Sequence, residues 1–204
     1  MSIVAVSQRV DLISNRKEYR DSLDQRLISF LITAAYVPVP VPNGFLNETK
    51  EKVTDSILLK KWLNKVLPRA IVLSGGNNIG LFPLRDKTEG VLLDYAYDNL
   101  LPVLGICRGM QMMSIWAGTE LRKVQGHVKT RHNLSGNIEL EVNSYHNFSI
   151  TECPKEFEVL ACSEDGEIEA IRHHSLPWEG WMWHPERENI FSQDDKKRLI
   201  KLFR

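Results

Sequence analysis

Three side chains in this sequence have the types and spacing of a nucleophilic catalyst: Cys107, His184 and Glu186. Cys107 stands between two glycines in Gly105-Ile106-Cys107-Arg108-Gly109, where an apolar run gives way to a helical pattern. A strained strand-to-helix turn pushes its central residue above the sheet, and glycines let neighbouring backbone come close. The helix N-terminus stabilises negative charge, which suits a cysteine nucleophile. The main-chain N–H of Arg108 then faces an oxyanion on the substrate. Such a nucleophile needs a base, and the base needs an acceptor to orient it. His184 supplies the base. Glu186, two residues on along an extended segment, supplies the acceptor.

These residues need a scaffold, and hydrophobic periodicity outlines one. Apolar runs predict strands over residues 3–7, 37–41, 70–73 and 101–106. Between them, helical spacing runs from Tyr19 through Leu23, Leu27, Phe30, Leu31 and Ala34, then over 54–66 and 89–99, and resumes over 109–117. Strands alternating with helices argue for a parallel sheet covered on both faces. Short strands over 138–142, 157–162, 167–171 and 180–184, with a helix over 194–203, make the second half strand-rich. The expectation is one α/β domain over 1–204: a central, mainly parallel sheet, flanking helices and a small strand-rich C-terminal portion. Its site belongs at the carboxyl ends of the strands.

Composition narrows the partners. The 204 residues carry 26 basic and 26 acidic side chains, so no global charge points to nucleic acid or a membrane surface. No apolar run approaches the roughly 20 residues that span a bilayer, and the first residues lack the apolar core of a signal peptide. Cys107, Cys153 and Cys162 form no CxxC pair, which suits a reducing cytoplasm. The glycosylation-like triplets at Asn47, Asn133 and Asn147 then read as chance matches. His173 and His174 are adjacent, so on a strand they point to opposite faces; they read as a surface loop, not a metal pair. His127 and His132 read as loop residues at the pocket edge. Cys162, Cys153 and the five tryptophans read as packing.

The elbow extended by Met110 and Gln111, followed later by His184-Pro185-Glu186, resembles the class I glutamine amidotransferase-like superfamily. The resemblance runs in order from Ser7 to Glu186 and implies a flavodoxin-like sheet. It implies that Gly76, in the turn that begins Ser74-Gly75-Gly76, completes the oxyanion hole with Arg108. It also implies that Asn143, Ser144, Tyr145 and His146 line the glutamyl pocket, which the Gln111 amide reaches from one helical turn after Cys107. Ser7-Gln8-Arg9, Leu23-Asp24-Gln25 and Asn143-Ser144-Tyr145-His146 look most like the γ-glutamyl hydrolase branch. That branch stands alone and hydrolyses γ-glutamyl amides, whereas amidotransferase domains pass ammonia to a synthase. The implied activity is hydrolysis of a small-molecule γ-glutamyl amide through a cysteine thioester. No metal, organic cofactor or obligate synthase partner is expected; the alternative is a glutaminase subunit feeding a separate synthase. The chain is shorter than that branch, and Asn77-Asn78 stands where an acidic residue often follows the double glycine. Both departures leave substrate choice open. Arg9 follows the buried first strand directly, where a charged side chain must reach the site or a partner. It points to an anionic, phosphate-bearing leaving group, with Arg16 or Arg20 assisting.

Overall fold

Short aliphatic runs, too brief for helices and too apolar for the surface, build the centre of the sheet. A computed structural model describes residues 1–46 and 55–204. Asn47 and Thr54, with which a glycosylation-like triplet and the second helical pattern begin, lie outside the described residues. Among the described residues eight strands form one sheet in the order Tyr36–Val41, Ser2–Ser7, Ala70–Leu73, Val103–Ile106, Trp178–Trp181, Ile168–His173, Phe157–Cys162, Ser135–Gly136. The first five run parallel and the last three pair antiparallel. Pro38 and Pro40 fall on the edge strand, where a missing ladder donor costs least.

Side chains alternate across each strand, so one strand feeds two cores. Val4 and Val6 pack with Leu27, Phe30, Leu31 and Leu199, from the helices Gln25–Thr33 and Gln193–Leu202. Ala5 packs on the other face with Leu59, Leu63, Leu92 and Met113, from Asp55–Val66, Pro83–Asp98 and Arg108–Trp116. The architecture is α/β, a mostly parallel sheet with helices on both faces.

Several expected boundaries are corrected. The helix does not begin near Tyr19. Arg9–Ile13 and Glu18–Ser22 form an antiparallel hairpin, and the helix starts at Gln25, where Asp24 accepts from Arg26 N at 2.8 Å. Asp24 is the stop signal, since an N-cap fixes the first turn whatever apolar phase precedes it. Arg16 and Lys17 therefore lie in the hairpin turn, with Lys17 at φ 50°, and Arg20 bonds Glu18 at 2.7 Å. None of the three stands at a helix start.

The helix expected from residue 89 begins at Pro83, a residue preorganised for the first helical position. The strand expected over 138–142 is Glu141–Tyr145, paired with Val128–Asn133 outside the main sheet. Leu134 N bonds Leu140 O at 2.9 Å, and residues 137–140, beyond the short strand Ser135–Gly136, form a loop. The last central strand is Trp178–Trp181, so His184 stands beyond its end.

Candidate active site

Register brings Cys107 and His184 together. Gly180 pairs with Gly105 and Trp181 with Ile106, so both chains leave the sheet side by side at the same edge. Cys107 N donates to Trp181 O at 2.6 Å, tying the two exits to each other. Cys107 itself sits at φ 50° and ψ −105°, a left-handed conformation costing about 1–3 kcal/mol in a non-glycine residue. The flanking glycines make the turn possible. A Cβ at Gly109 would lie 2.1 Å from Leu73 O, and one at Gly105 only 2.6 Å from the Gly109 carbonyl carbon. The helix Arg108–Trp116 begins at the next residue, so its N-terminal dipole faces the buried thiol.

Cys107 lies close enough to the His184 ring to perturb its titration, and His184 Nδ1 lies 2.6 Å from Glu186 Oε1. Glu186 reaches Nδ1 through a 3-10 turn, Pro185–Arg187, and not along an extended segment as the sequence suggested. Pro185 takes the first position of that turn, and Arg187 N closes it on His184 O at 3.0 Å. Burial would lower the His184 pKa, but Coulombic attraction from Cys107 and Glu186 and hydrogen bonds to both push it up to about 9.

Asn143 holds the main chain of His184 from both sides. Its Oδ1 accepts from His184 N at 3.0 Å, and its Nδ2 donates to His184 O at 2.8 Å and to Glu188 Oε1 at 2.8 Å. This residue, expected in the glutamyl pocket, commits its amide to the His184 main chain and Glu188. Strand alternation divides its neighbours. The exposed Tyr145 presents its ring edge to His184, with centroids 5.9 Å apart. Ser144 and His146 turn into the interior, Ser144 Oγ donating to His127 O at 2.8 Å and His146 Nε2 lying 3.2 Å from Glu169 Oε1. Gln111 is buried, and its amide donates to Phe148 O at 2.8 Å.

The glycine turn is shaped by a residue the sequence did not single out. Arg85 donates to Ser74 O at 2.7 Å, to Gly75 O at 3.0 Å and to Gly76 O. A trans peptide points its C=O and N–H in opposite directions, so drawing Gly75 O to Arg85 turns the Gly76 N–H away from it. Gly76 has φ +82°, and a Cβ at Gly75 would lie 2.5 Å from His184 Cε1. Asn77 answers one departure from the family pattern: its Oδ1 accepts from Val10 N at 2.9 Å while its Nδ2 donates to Val10 O at 3.1 Å. A carboxylate could not make both bonds.

Beneath the turn, Glu89 joins Arg85, Arg108 and Ser7 in a buried network. Burial would raise the Glu89 carboxyl, but Arg108 and Arg85 hold it below its ordinary value. Glu89→Ala leaves the buried Arg85 without a carboxylate and Arg108 with Asp86 alone, and is expected to destabilise the fold by about 3–5 kcal/mol. Chemical denaturation measures this, and a midpoint equal to the parent's would contradict it. The signals for Arg85 were Pro83 at the helix start and the i, i+4 spacing of Arg85 and Glu89.

Two other readings of the histidines are corrected. His127 does lie in a loop, just before Val128–Asn133, but it is buried there. The Glu169 carboxylate, accepting from the ring, raises its pKa to about 9 against burial, assisted by Asp165. His132 stacks beside it on Val128–Asn133. His127, His132 and Glu169 offer ligand atoms within 4.8 Å of one another, but His127 and Glu169 already face each other as an ion pair. His173 is also buried, its Nδ1 accepting from Ser175 N and Leu176 N, while His174 is exposed.

The fold and the family agree. The chain belongs to the class I glutamine amidotransferases: residues 12–203 match the family described as "Glutamine amidotransferase class-I". Among curated relatives, gamma-glutamyl-CDP-amidate hydrolase of Campylobacter jejuni is 31% identical over 131 residues, 61% of this chain and 66% of the relative. The match thus spans just under two thirds of that relative's length. The glutamine-hydrolysing GMP synthase subunit of Methanococcus aeolicus is 27% identical over 185 residues, 86% of each chain. A glutamine amidotransferase crystal structure from Thermotoga maritima superposes with a TM-score of 0.63, covering 99% of this chain and 82% of that one at 17% identity. Among the described residues no helix is long and apolar enough to cross a membrane.

Proposed function

We propose that the chain, as one domain over 1–204, hydrolyses the γ-glutamyl amide bond of a small molecule in the cytoplasm. The observation that carries this reading is Cys107, held at positive φ at a helix start and beside the His184 ring that Glu186 holds. His184 takes the Cys107 proton, and the sulfur attacks the γ-carbonyl. Main-chain N–H groups of Gly76 and Arg108 receive the oxyanion of the tetrahedral intermediate. His184 then protonates the leaving nitrogen, the C–N bond breaks, and a glutamyl thioester remains on Cys107. Water deprotonated by His184 attacks that thioester, releasing L-glutamate and restoring the thiol. No step calls for a metal or an organic cofactor. In this reading Gln111 and Tyr145 meet the glutamyl half, while the buried Asn143, Ser144 and His146 hold the segment that carries Tyr145.

Similarity to the gamma-glutamyl-CDP-amidate hydrolase supports a nucleotide-linked amide as substrate and a chain that works without a synthase. Similarity to the glutamine-hydrolysing GMP synthase chain favours a second reading, a glutaminase that delivers ammonia to a separate synthase. Glutamate release by the isolated protein from glutamine and from a panel of larger γ-glutamyl amides separates the two. The hydrolase reading expects a strong preference for a larger amide. Activity on free glutamine alone would overturn it in favour of the second reading.

A further inference from the structure

Since His184 must give a proton to the leaving nitrogen, the group attached to that nitrogen lies against the imidazole and over the cavity beside it. That cavity is lined by His184, Glu186, Gly75, Gly76, Arg9 and Arg187, among others. Two arginines therefore line it, brought from opposite parts of the chain. Arg9 comes from the hairpin strand Arg9–Ile13 and packs across Gly76, where an added Cβ would lie 3.3 Å from its Nη1. Arg187 comes from the turn that carries Glu186, with its guanidinium carbon 4.5 Å from the Tyr145 ring centroid. Stacking on an aromatic face orients the planar fork before any ligand arrives.

The acids nearby are already committed. Arg9 meets Asp11 through Nε at 3.0 Å, which leaves its Nη groups for the cavity. Asp24 caps the helix through Arg26 N, and Glu186 is held by His184. Among the described residues Arg187 makes no salt bridge. Arg16 and Arg20, the assistants expected from sequence, lie in the hairpin turn and against Glu18. Arg187 takes their place.

We propose that Arg9 and Arg187 form an anion clamp on the leaving-group side of the site, selecting γ-glutamyl amides whose leaving group carries phosphate. The proposal rests on the hydrolase reading. The acyl half of the substrate attaches at Cys107, so an anion held on the His184 side belongs to the departing half. Two guanidinium forks at one cavity match the several oxygens of a phosphate chain better than the two of a carboxylate.

The test is calorimetric binding of inorganic pyrophosphate and of L-glutamate to the Cys107→Ala protein, so that turnover plays no part. Adding Arg187→Ala or Arg9→Ala is expected to weaken pyrophosphate binding about tenfold each, and Arg187→Lys to recover part of the loss. Binding should also weaken as salt is raised. Pyrophosphate affinity indifferent to Arg187→Ala, or a loss confined to L-glutamate, would overturn the clamp. Arg187→Lys as damaging as Arg187→Ala, with the thermal midpoint lowered in both, would mark Arg187 as structural and overturn it too. Failure of the hydrolase reading shows separately, as glutamate release by the parent from free glutamine alone.

Discussion

Cys107→Ala is expected to lower kcat by on the order of 10⁴-fold or more while the fold and substrate binding persist. Alanine keeps the Cβ that Cys107 places at φ 50°, so the substitution neither relieves nor adds backbone strain. The bond from Cys107 N to Trp181 O is a main-chain bond and survives. What disappears is the sulfur, and with it one contact that raises the His184 pKa. Steady-state glutamate release beside a thermal melt checks both halves. Turnover near the parent rate would remove Cys107 from the chemistry, while a collapsed melting transition would make it structural.

The second large effect separates the base from its orienter. His184→Ala is expected to approach the loss of Cys107→Ala, because members of one catalytic unit do not contribute additively. Glu186→Gln keeps a hydrogen-bond acceptor at Nδ1 and is expected to lose roughly a hundredfold less. The pH profile adds an independent readout. In the parent, kcat/KM should fall as pH rises through about 9, where His184 loses the proton that the leaving nitrogen needs. Removing the Glu186 charge removes one cause of the raised value, so in Glu186→Gln that alkaline limb should move to lower pH. The stability linkage has the same sign: a folded pKa above the unfolded one stabilises the fold below about 6.5, the ordinary value, and the benefit fades as pH rises through about 9. Equal damage from both substitutions, or an unmoved limb in Glu186→Gln, would assign Glu186 another role.

What the sequence disclosed, it disclosed locally. The parallel strands were visible because buried central strands are short unbroken aliphatic runs, as at Ala70–Leu73. The Cys107 turn was visible because its glycines flank the nucleophile in the chain itself. The hairpin over Arg9–Ile13 and Glu18–Ser22 was not, because its second strand is almost wholly polar and Leu23 continues the apolar phase of the following helix across the Asp24 cap. Arg85, Thr88 and Glu89 hid the first turns of their helix because polar residues occupy its buried face. Amphipathic patterning presumes the opposite. The role of Asn143 on the His184 main chain, and the burial of His127 against Glu169, depend on segments far apart in sequence. No spacing rule reaches them. Arg187 was passed over beside the His-Pro-Glu tripeptide because only the fold sets it against Tyr145 and at the same cavity as Arg9.

The central claim is covalent chemistry at one sulfur, and intact-mass spectrometry of acid-quenched protein reads it directly. Mixed with a slowly turned-over γ-glutamyl amide, the parent should gain the mass of one glutamyl group, mapping to the peptide that carries Cys107 and released by hydroxylamine as a thioester is. Glu186→Gln should accumulate the same adduct more slowly, and Cys107→Ala should show none. An adduct on Cys153 or Cys162, or full turnover by the parent with no adduct at any quench time, would contradict the account.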